Sequence, residues 1–358
     1  MFLGLLVGAF VAYVVGLALV RRRPPRFAYV AALACAMQLA PLGAPLLLST
    51  DAWTYWDYGR LASVHGQNPY RADPESERAD PAFRYVGAAW RDTTSVYGPA
   101  FTLASEPIAR AAGASADAAA WIYKTLAAIG VLAAAFLAAR LSPRPVLALA
   151  FVGWNPLLAV HFGGGAHNDS WVIAFVVAAL AAGAARRPQL AGVCWALAVL
   201  VKWIPLLLLP LRALEARATG RRVGHLGFAV TAAAVCALAT WRYGFAWLGT
   251  FGLLARNANN ETRFAIPHRL SQLGIPHTVA IGLCAAAFLI AYAWLLREAW
   301  RGRARLGLAT ALLLLAAPYL AAWYVVWTLP LAAAEDDERA ALIGLVLCAY
   351  LLRQTVPL

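Results

Sequence analysis

Phe27-Ala-Tyr-Val-Ala-Ala-Leu-Ala-Cys-Ala-Met-Gln-Leu-Ala-Pro-Leu-Gly-Ala-Pro-Leu-Leu-Leu48 runs directly into Ser49-Thr-Asp-Ala-Trp-Thr-Tyr-Trp-Asp-Tyr-Gly-Arg60. The first stretch has about the length that spans a bilayer, and the second gathers charges and aromatic rings where that span ends. An acid at this edge, Asp51, stands where it can act on something half in lipid and half in water. Trp53, Tyr55, Trp56 and Tyr58 are expected at headgroup level, where apolar rings and polar tips both find partners.

The rest of the chain fits that reading. Of 358 residues, 62% are hydrophobic and 13% charged, and the mean hydropathy is +0.66, well beyond a soluble domain. The expected fold is all-α: a polytopic bundle of membrane helices forming a single domain over 1–358, with about twelve membrane segments once short hairpins are counted. The five cysteines (Cys35, Cys194, Cys236, Cys284, Cys348) lie singly in apolar runs, with no spacing for a disulfide framework or metal site. A formal charge of +13 suggests nucleic acid in a soluble chain. Here the basic residues sit in short loops between apolar runs, where they orient helices, so no nucleic-acid partner is expected. Only Lys124 and Lys202 among the 30 basic residues are lysines, and the Arg and Ala richness points to a GC-rich bacterial source.

Basic clusters set the expected topology. Phe2 to Val20 is followed by Arg21-Arg22-Arg23-Pro-Pro-Arg26, which belongs in the cytoplasm and places the N-terminus outside. Because the charges follow the apolar run, the segment reads as a retained helix and not a cleaved signal. The next span then delivers Asp51 to the outer face. An external loop from 49 to 115, rich in Pro, Gly, Asp and Glu, is expected to form a small folded cap. Within it, Tyr97 to Arg110 is apolar but short and carries Glu106, Pro107 and Arg110; it reads as a juxtamembrane helix lying on the bilayer. Further spans are expected at 116–139, 145–161, 170–185, 224–240, 277–296, 306–322 and 340–356. Loops assigned inside carry 17 basic residues in short segments, against 10 in the longer external loops, Arg256 among them.

Two places break the pattern. Leu190 to Arg212 lies between two basic clusters, so the chain must rise and return within it, turning at Lys202 below the outer surface. Trp323-Tyr324 tops a second short hairpin, returning through Trp327 and Pro330 to Glu335-Asp-Asp-Glu-Arg339. Irregular backbone at that depth belongs to a protein-lined or wet cavity, to which both tips point.

On this layout the outer face gathers Asp51, Asp57, Arg91, Asp92, His167, Asn168, Asp169, Lys202, Arg263, His268, Arg269 and Tyr324. Ionisable residues at such positions are functional candidates. Acids and cations together suit sugar transfer from a lipid-linked phosphate, which needs a base for the acceptor hydroxyl and positive charge for the leaving phosphate. Each has a plainer reading. Asp51 is a candidate N-cap, as Ser49-Thr-Asp precedes a helical run. Asp57 is a candidate partner or structural acid. His167-Asn168-Asp169, after Gly163-Gly-Gly165, is a candidate turn capping a helix from Ser170. That glycine run lacks the Gly-Lys-Ser ending of a phosphate loop. Lys202 is a candidate snorkelling lysine, Arg263 and Arg269 are candidate solvated loop charges, and Lys124 and Glu106 are candidates to pair within the cap. No motif indicates a metal or other cofactor.

Several segments taken together resemble the GT-C membrane glycosyltransferases. They are Asp51-Ala-Trp-Thr-Tyr-Trp-Asp-Tyr-Gly-Arg-Leu, Gly66-Gln-Asn-Pro-Tyr70, Arg91-Asp-Thr-Thr-Ser-Val-Tyr97-Gly-Pro99, Trp154-Asn-Pro, Gly165-Ala-His-Asn-Asp169, Val201-Lys-Trp-Ile-Pro205 and Trp323-Tyr324. The likeness is greatest to the polyprenyl-phosphomannose-dependent α-mannosyltransferases of actinobacteria and runs over most of the chain. The resemblance implies a helical membrane bundle with two juxtamembrane helices in the first large external loop. It also implies a catalytic acid near that loop's start, matched by Asp51, and a polyprenyl-monophosphate donor used with inversion, without a nucleotide-sugar site. Set against that family, the chain is expected to lack a sizeable C-terminal extension.

The expected activity is transfer of a hexose, mannose in the commonest family case, to a glycolipid or glycan acceptor on the outer face of a bacterial plasma membrane. Asp51 serves as general base. Lys202, with Arg263 or Arg269, holds the donor phosphate. Asp57, His167, Asn168, Asp169 and Tyr324 contact substrate, and membrane lipids surround the bundle. Two other classes compete: a transporter or flippase of lipid-linked sugar, which also wants a midplane cation and broken helices, and a non-catalytic assembly subunit. The chain shows no internal repeat of the kind transporters carry, and a mere subunit leaves the outer acids without a task.

Overall fold

In the computed structural model, which describes residues 1–252 and 261–355, every regular element among the described residues is helical. Arg256 and the last residue of the expected 340–356 span lie outside the described residues. In chain order the elements are α1 (Phe2–Arg22), α2 (Phe27–Leu39), α3 (Asp51–Ser63), α4 (Pro99–Ala112), α5 (Ala116–Leu141), α6 (Pro145–Gly153), α7 (Pro156–Leu158) with a wider π-turn (Ala159–Gly164), and α8 (Asp169–Ala184). They continue as α9 (Pro188–Val201), α10 (Leu208–Ala218), α11 (His225–Tyr243), α12 (Ile266–Gln272), α13 (His277–Trp300), α14 (Leu306–Ala316), α15 (Leu329–Glu335) and α16 (Glu338–Leu351).

Among the described residues, four helices are long and apolar enough to cross a membrane: α1, α5, α11 with its continuation to Gly252, and α13. The pair α6–α7, bent by 42°, makes a fifth if it is one span. The remaining apolar helices are shorter. α5 is the central column, packed against α3, α6, α8 and α15. Its buried face is mostly alanine and glycine, including Ala127, Gly130, Val131, Ala134, Ala135 and Ala138, and small residues let neighbouring backbones approach closely.

Three expected spans are shorter or more broken than their hydropathy suggests. The run from Phe27 is helical only to Leu39, makes one 3₁₀ turn through Gly43, and then continues without regular structure to Thr50. The two prolines Pro41 and Pro45 account for the ending, because neither can donate to a helical ladder. The run from Leu306 likewise stops at Ala316 before a 3₁₀ segment, Ala322–Trp327. In the 145–161 span, Pro156 breaks the helix after Gly153.

That last break is fully furnished with partners. Tyr13 Oη donates to the Phe151 carbonyl at 2.6 Å, Gln38 Nε2 donates to the Gly153 carbonyl at 3.0 Å, and Asn155 Oδ1 accepts from the amides of Leu157 and Leu158. Trp154 Nε1 closes the joint on the Val30 carbonyl at 3.0 Å. Backbone groups freed inside an apolar bundle are tolerated on those terms.

Both short hairpins form. The chain rises through α9, turns at an extended Lys202 and returns through a 3₁₀ turn and α10. The foot of its rising arm packs on the start of α11, where Gly224 lies hard against the Pro188 carbonyl, so that a Cβ there has no room. The second hairpin runs up α14 and down α15. Glu335 at its foot accepts from the amides of Leu306 (2.7 Å) and Gly307 (2.9 Å), satisfying orphan donors at the start of α14.

The 49–115 segment folds as two helices under an irregular cover. α3 and α4 cross closely at Gly59, where a Cβ would meet the Ser105 carbonyl at 2.3 Å. α4, at about 21 Å, is too short to span. The 64–98 segment is fastened by a buried fork in which Arg60 donates to Asp80 at 2.7, 2.8 and 3.0 Å and to the Gly113 carbonyl at 2.6 Å. This covering buries Tyr55, Trp56 and Tyr58, which are core residues and not the headgroup belt expected of them. Lys124 and Glu106 do not pair: Lys124 donates to the Leu42 and Ala44 carbonyls, and Glu106 holds Arg242 and Tyr243.

Asp57 faces this fork. Burial, reinforced by the charge on Asp80 and only partly offset by Arg60, pushes its carboxyl up to about 7. An acid with a raised folded-state pKa contributes stability that is fully present below its unfolded value and lost as pH rises through the folded one. Asp57→Asn is therefore expected to raise the unfolding temperature by a few degrees at pH 8, by a smaller amount at pH 5, and to leave it near wild type only below about pH 4, where both states hold the proton, read by thermal unfolding in detergent.

Candidate active site

The site assembles from chain ends and breaks. Asp51 is the first residue of α3, preceded by Thr50 as N-cap, and its amide donates to Ser49 Oγ at 3.0 Å. Its carboxylate does not cap the helix. Instead Oδ2 accepts from Tyr55 Oη at 3.2 Å and faces His167 Nδ1 at 3.0 Å. The Asp51 side chain keeps 18% of its surface exposed. Burial presses this carboxyl upward, but the His167 hydrogen bond, with the charges on His167 and Lys202, outweighs it and holds the group below the usual carboxylate range. Asp51 is thus ionised and able to accept a proton.

The glycine run explains how His167 gets there. A Cβ at Gly163, Gly164 or Gly165 would meet Gln38, Leu47 or His161 at 3.0 Å or less, so the run exists for close backbone approach. Ala166 at φ +62° then turns the chain into α8. Asn168 stands at the N-cap of α8 but makes no side-chain capping bond, contrary to the capping alternative for this run. His167 stacks flat on Trp323, with centroids 3.8 Å apart at 11°, which fixes the ring that faces Asp51.

Asp169, fully buried, accepts at Oδ1 from both Lys202 Nζ and Trp327 Nε1, each at 2.8 Å. Lys202 also lies 5.2 Å from the Tyr324 ring and 5.7 Å from the Trp327 ring, and those two rings stack at 4.1 Å. The lysine therefore has 22% of its side chain exposed and a carboxylate and two aromatic faces around it. It is not a snorkelling residue at a helix end. Beside these groups, His167 Nε2, both amide atoms of Asn168 and Asp169 Oδ2 are buried with no hydrogen-bond partner among the described residues. Buried polar atoms are as a rule hydrogen-bonded, so these four are available to a polar group brought to the site.

The 97–99 segment docks on the Lys202 break: Gly98 donates its amide to the Val201 carbonyl at 3.1 Å, and a Cβ at Gly98 would lie 2.1 Å from the Leu200 carbonyl. Gly98→Ala is expected to push α4 off the break and to lower the unfolding temperature by several degrees, with loss of most activity. Thermal unfolding and transfer assays on one preparation check it.

The structure thus brings together Asp51, His167, Asn168, Asp169, Lys202 and Tyr324. It sets Asp57 apart, against Arg60 and Asp80. Arg269 donates to Tyr350 Oη at 3.0 Å and to Gln272 Oε1 at 2.8 Å, and Arg263 is exposed on the segment whose Thr262 amide donates to the Pro318 carbonyl. Arg91 bonds the Val86 carbonyl, Asp92 lies beside Thr93, and His268 pairs with Glu261. The sequence reading missed Tyr55, Trp323 as the ring under His167, and Trp327 as the second donor to Asp169. The 3₁₀ spacing of Trp323, Tyr324 and Trp327 was the available signal. Among the described residues no cluster suited to a metal ion occurs.

Comparison with known proteins points to one family. The family profile described as alpha-(1->6)-mannopyranosyltransferase, N-terminal domain, matches residues 1–218. A probable alpha-(1->6)-mannopyranosyltransferase of Mycolicibacterium smegmatis is 28% identical over 85% of this chain and 65% of its own length. An alpha-(1->6)-mannopyranosyltransferase of Mycobacterium tuberculosis is 27% identical over 81% of this chain and 63% of its own, and alpha-(1->6)-mannopyranosyltransferase A of Corynebacterium glutamicum is 28% identical over 49% and 36%. The chain spans just under two thirds of the length of the first two relatives. No solved structure matches it. The matched stretch covers α1 to α10, including Asp51, His167, Asp169 and Lys202, and on that match the chain belongs to the alpha-(1->6)-mannopyranosyltransferase family.

Proposed function

We propose that this chain is a membrane mannosyltransferase that takes mannose from a polyprenyl-phosphate donor and transfers it, with inversion, to a glycolipid or glycan acceptor on the outer face of the plasma membrane. The observation that carries the reading is the Asp51 carboxylate, ionised, partly exposed and fixed by His167 and Tyr55 beside the Lys202–Asp169 pair. In the reaction Asp51 takes the proton of the acceptor hydroxyl as that oxygen bonds to the anomeric carbon. The carbon–oxygen bond to phosphate breaks, and the lipid phosphate leaves with the electron pair. A β-linked donor gives an α-linked product.

Lys202 Nζ, which has three N–H donors and spends one on Asp169, offers the others to the departing phosphate. Arg263 serves as a second cation on the same side. Arg269, tied to Tyr350 and Gln272, has a structural place. The unbonded atoms of His167, Asn168 and Asp169 are assigned to acceptor and sugar hydroxyls, and Tyr324 offers a ring face to sugar. The GT-C-like arrangement of about twelve membrane segments, hairpins included, belongs to the same proposal. Purified protein incubated with radiolabelled polyprenyl-phosphomannose and cell-envelope acceptors is expected to move label into the acceptor. Label that crosses a vesicle membrane while still on the lipid would instead support a flippase.

The orientation has its own check. A cysteine introduced in 71–80 is expected to react with an impermeant thiol reagent added outside intact cells, and one in 216–222 to be protected until the cells are opened. The reverse pattern puts Asp51 in the cytoplasm and removes the outer-face assignment.

A further inference from the structure

At the other end of α5, about 39 Å of helix away from the Trp53–Ala116 contact, a cavity of about 320 Å³ opens between α1, α6, α15 and α16. That volume is within the range of ligand sites. Its wall is apolar, formed by Leu17, Leu147, Ala148, Phe151, Leu342 and Leu345, and its mouth is charged. There Arg21 donates to Glu338 at 3.0 Å, Arg144 donates to Asp336 at 2.6 and 2.9 Å, and Arg144 also approaches Glu338 at 3.6 Å. Asp337, the remaining acid of the lining, is taken up by Arg305 and by the amides of Arg339 and Ala340. The free mouth is therefore two guanidinium groups and two carboxylates in alternation, above an apolar slot.

We propose that this groove binds a phospholipid with a primary-amine zwitterionic headgroup. An acyl chain lies along the Leu17–Phe151–Leu345 wall, the phosphate sits between Arg21 and Arg144, and the ammonium faces Asp336 and Glu338. The balance of signs selects the headgroup. An anionic lipid would take the arginines and strand two carboxylates, whereas a zwitterion replaces each existing ion pair with another of the same sign and leaves no charge unmatched. A primary ammonium further supplies N–H donors to the carboxylates, which a quaternary ammonium lacks. The site is remote from Asp51 and independent of the transfer reaction.

The test uses the full chain, delipidated in detergent and offered an equimolar mixture of phosphatidylethanolamine, phosphatidylglycerol and phosphatidylcholine with identical acyl chains. Native mass spectrometry counts the retained lipid. Phosphatidylethanolamine is expected to be retained about fivefold over either competitor. Glu338→Gln, which removes an ammonium partner, and Ala341→Phe, which fills the slot without touching the charges, are each expected to abolish that preference. Equal retention of the three lipids, or preference for phosphatidylglycerol, overturns the proposal. So does a preference that survives both substitutions. Thermal unfolding identifies any variant that does not fold, in which case the wild-type competition and the remaining variant decide.

Discussion

Asp51→Asn is expected to fold, bind the lipid donor and lose transfer by roughly 10²- to 10⁴-fold, the usual cost of removing a general base. Asparagine keeps the shape of the side chain and an oxygen for Tyr55, so the first turn of α3 should survive. It cannot take up the proton. Because Asp51 is not the N-cap of α3, no capping defect is expected, and the unfolding temperature should stay near wild type. Asp57→Asn, one and two-thirds turns along the same helix, should retain most of its activity. An active Asp51→Asn beside a dead Asp169→Asn would move the base to the other carboxylate of the cluster.

Lys202→Ala is expected to abolish measurable donor binding and to destabilise the protein by about 3–5 kcal/mol, since it leaves Asp169 charged, fully buried and short of its cation. Those two losses need separating. The double variant Lys202→Met, Asp169→Leu removes both charges from the apolar surroundings and should recover much of the lost stability, while donor binding stays absent. Lys202→Arg should restore binding only in part, because a planar fork does not reproduce a point charge set between two aromatic faces. Donor affinity that returns in the double variant would show Lys202 to be a purely structural half of a buried pair.

How much of this was legible in the sequence differs by residue for physical reasons. Asp51 and Lys202 were legible because a charge where an apolar run stops is conspicuous, and few other forces put one there. The Lys202 hairpin was legible from the basic clusters on either side of it, and the Trp323 hairpin from the charged Glu335–Arg339 loop to which the chain must return. Asp57 was drawn into the site by proximity to Asp51. Yet six residues on a 3.6-residue helix rotate a side chain most of the way to the opposite face, toward Asp80. The Arg60–Asp80 fork was not legible, because it joins a helix to an irregular loop and no periodicity links them. The loop aromatics were misplaced for a related reason: an amphipathic ring suits a headgroup belt and a folded cap equally well, and only the cap's tertiary closure decides. Trp323 and Trp327 announced packing but not which polar group each would hold.

The joint at Gly153-Trp154-Asn155 bears on how the protein is made. The groups that take up its backbone carbonyls and its indole N–H, Tyr13, Gln38 and the Val30 carbonyl, belong to α1 and α2, which leave the ribosome before α6 does, and only the Asn155 side chain waits for a later partner, Cys348. When the broken segment enters the lipid, its receptors are already there, so the carbonyls freed by Pro156 need never face hydrocarbon alone. A chain whose first two helices were supplied later, as a separate fragment or after a circular permutation, would pass through an intermediate with those groups exposed. The order of the helices along the chain thus works as an assembly schedule, in which the earliest segments wait as a built-in chaperone for the broken one that follows.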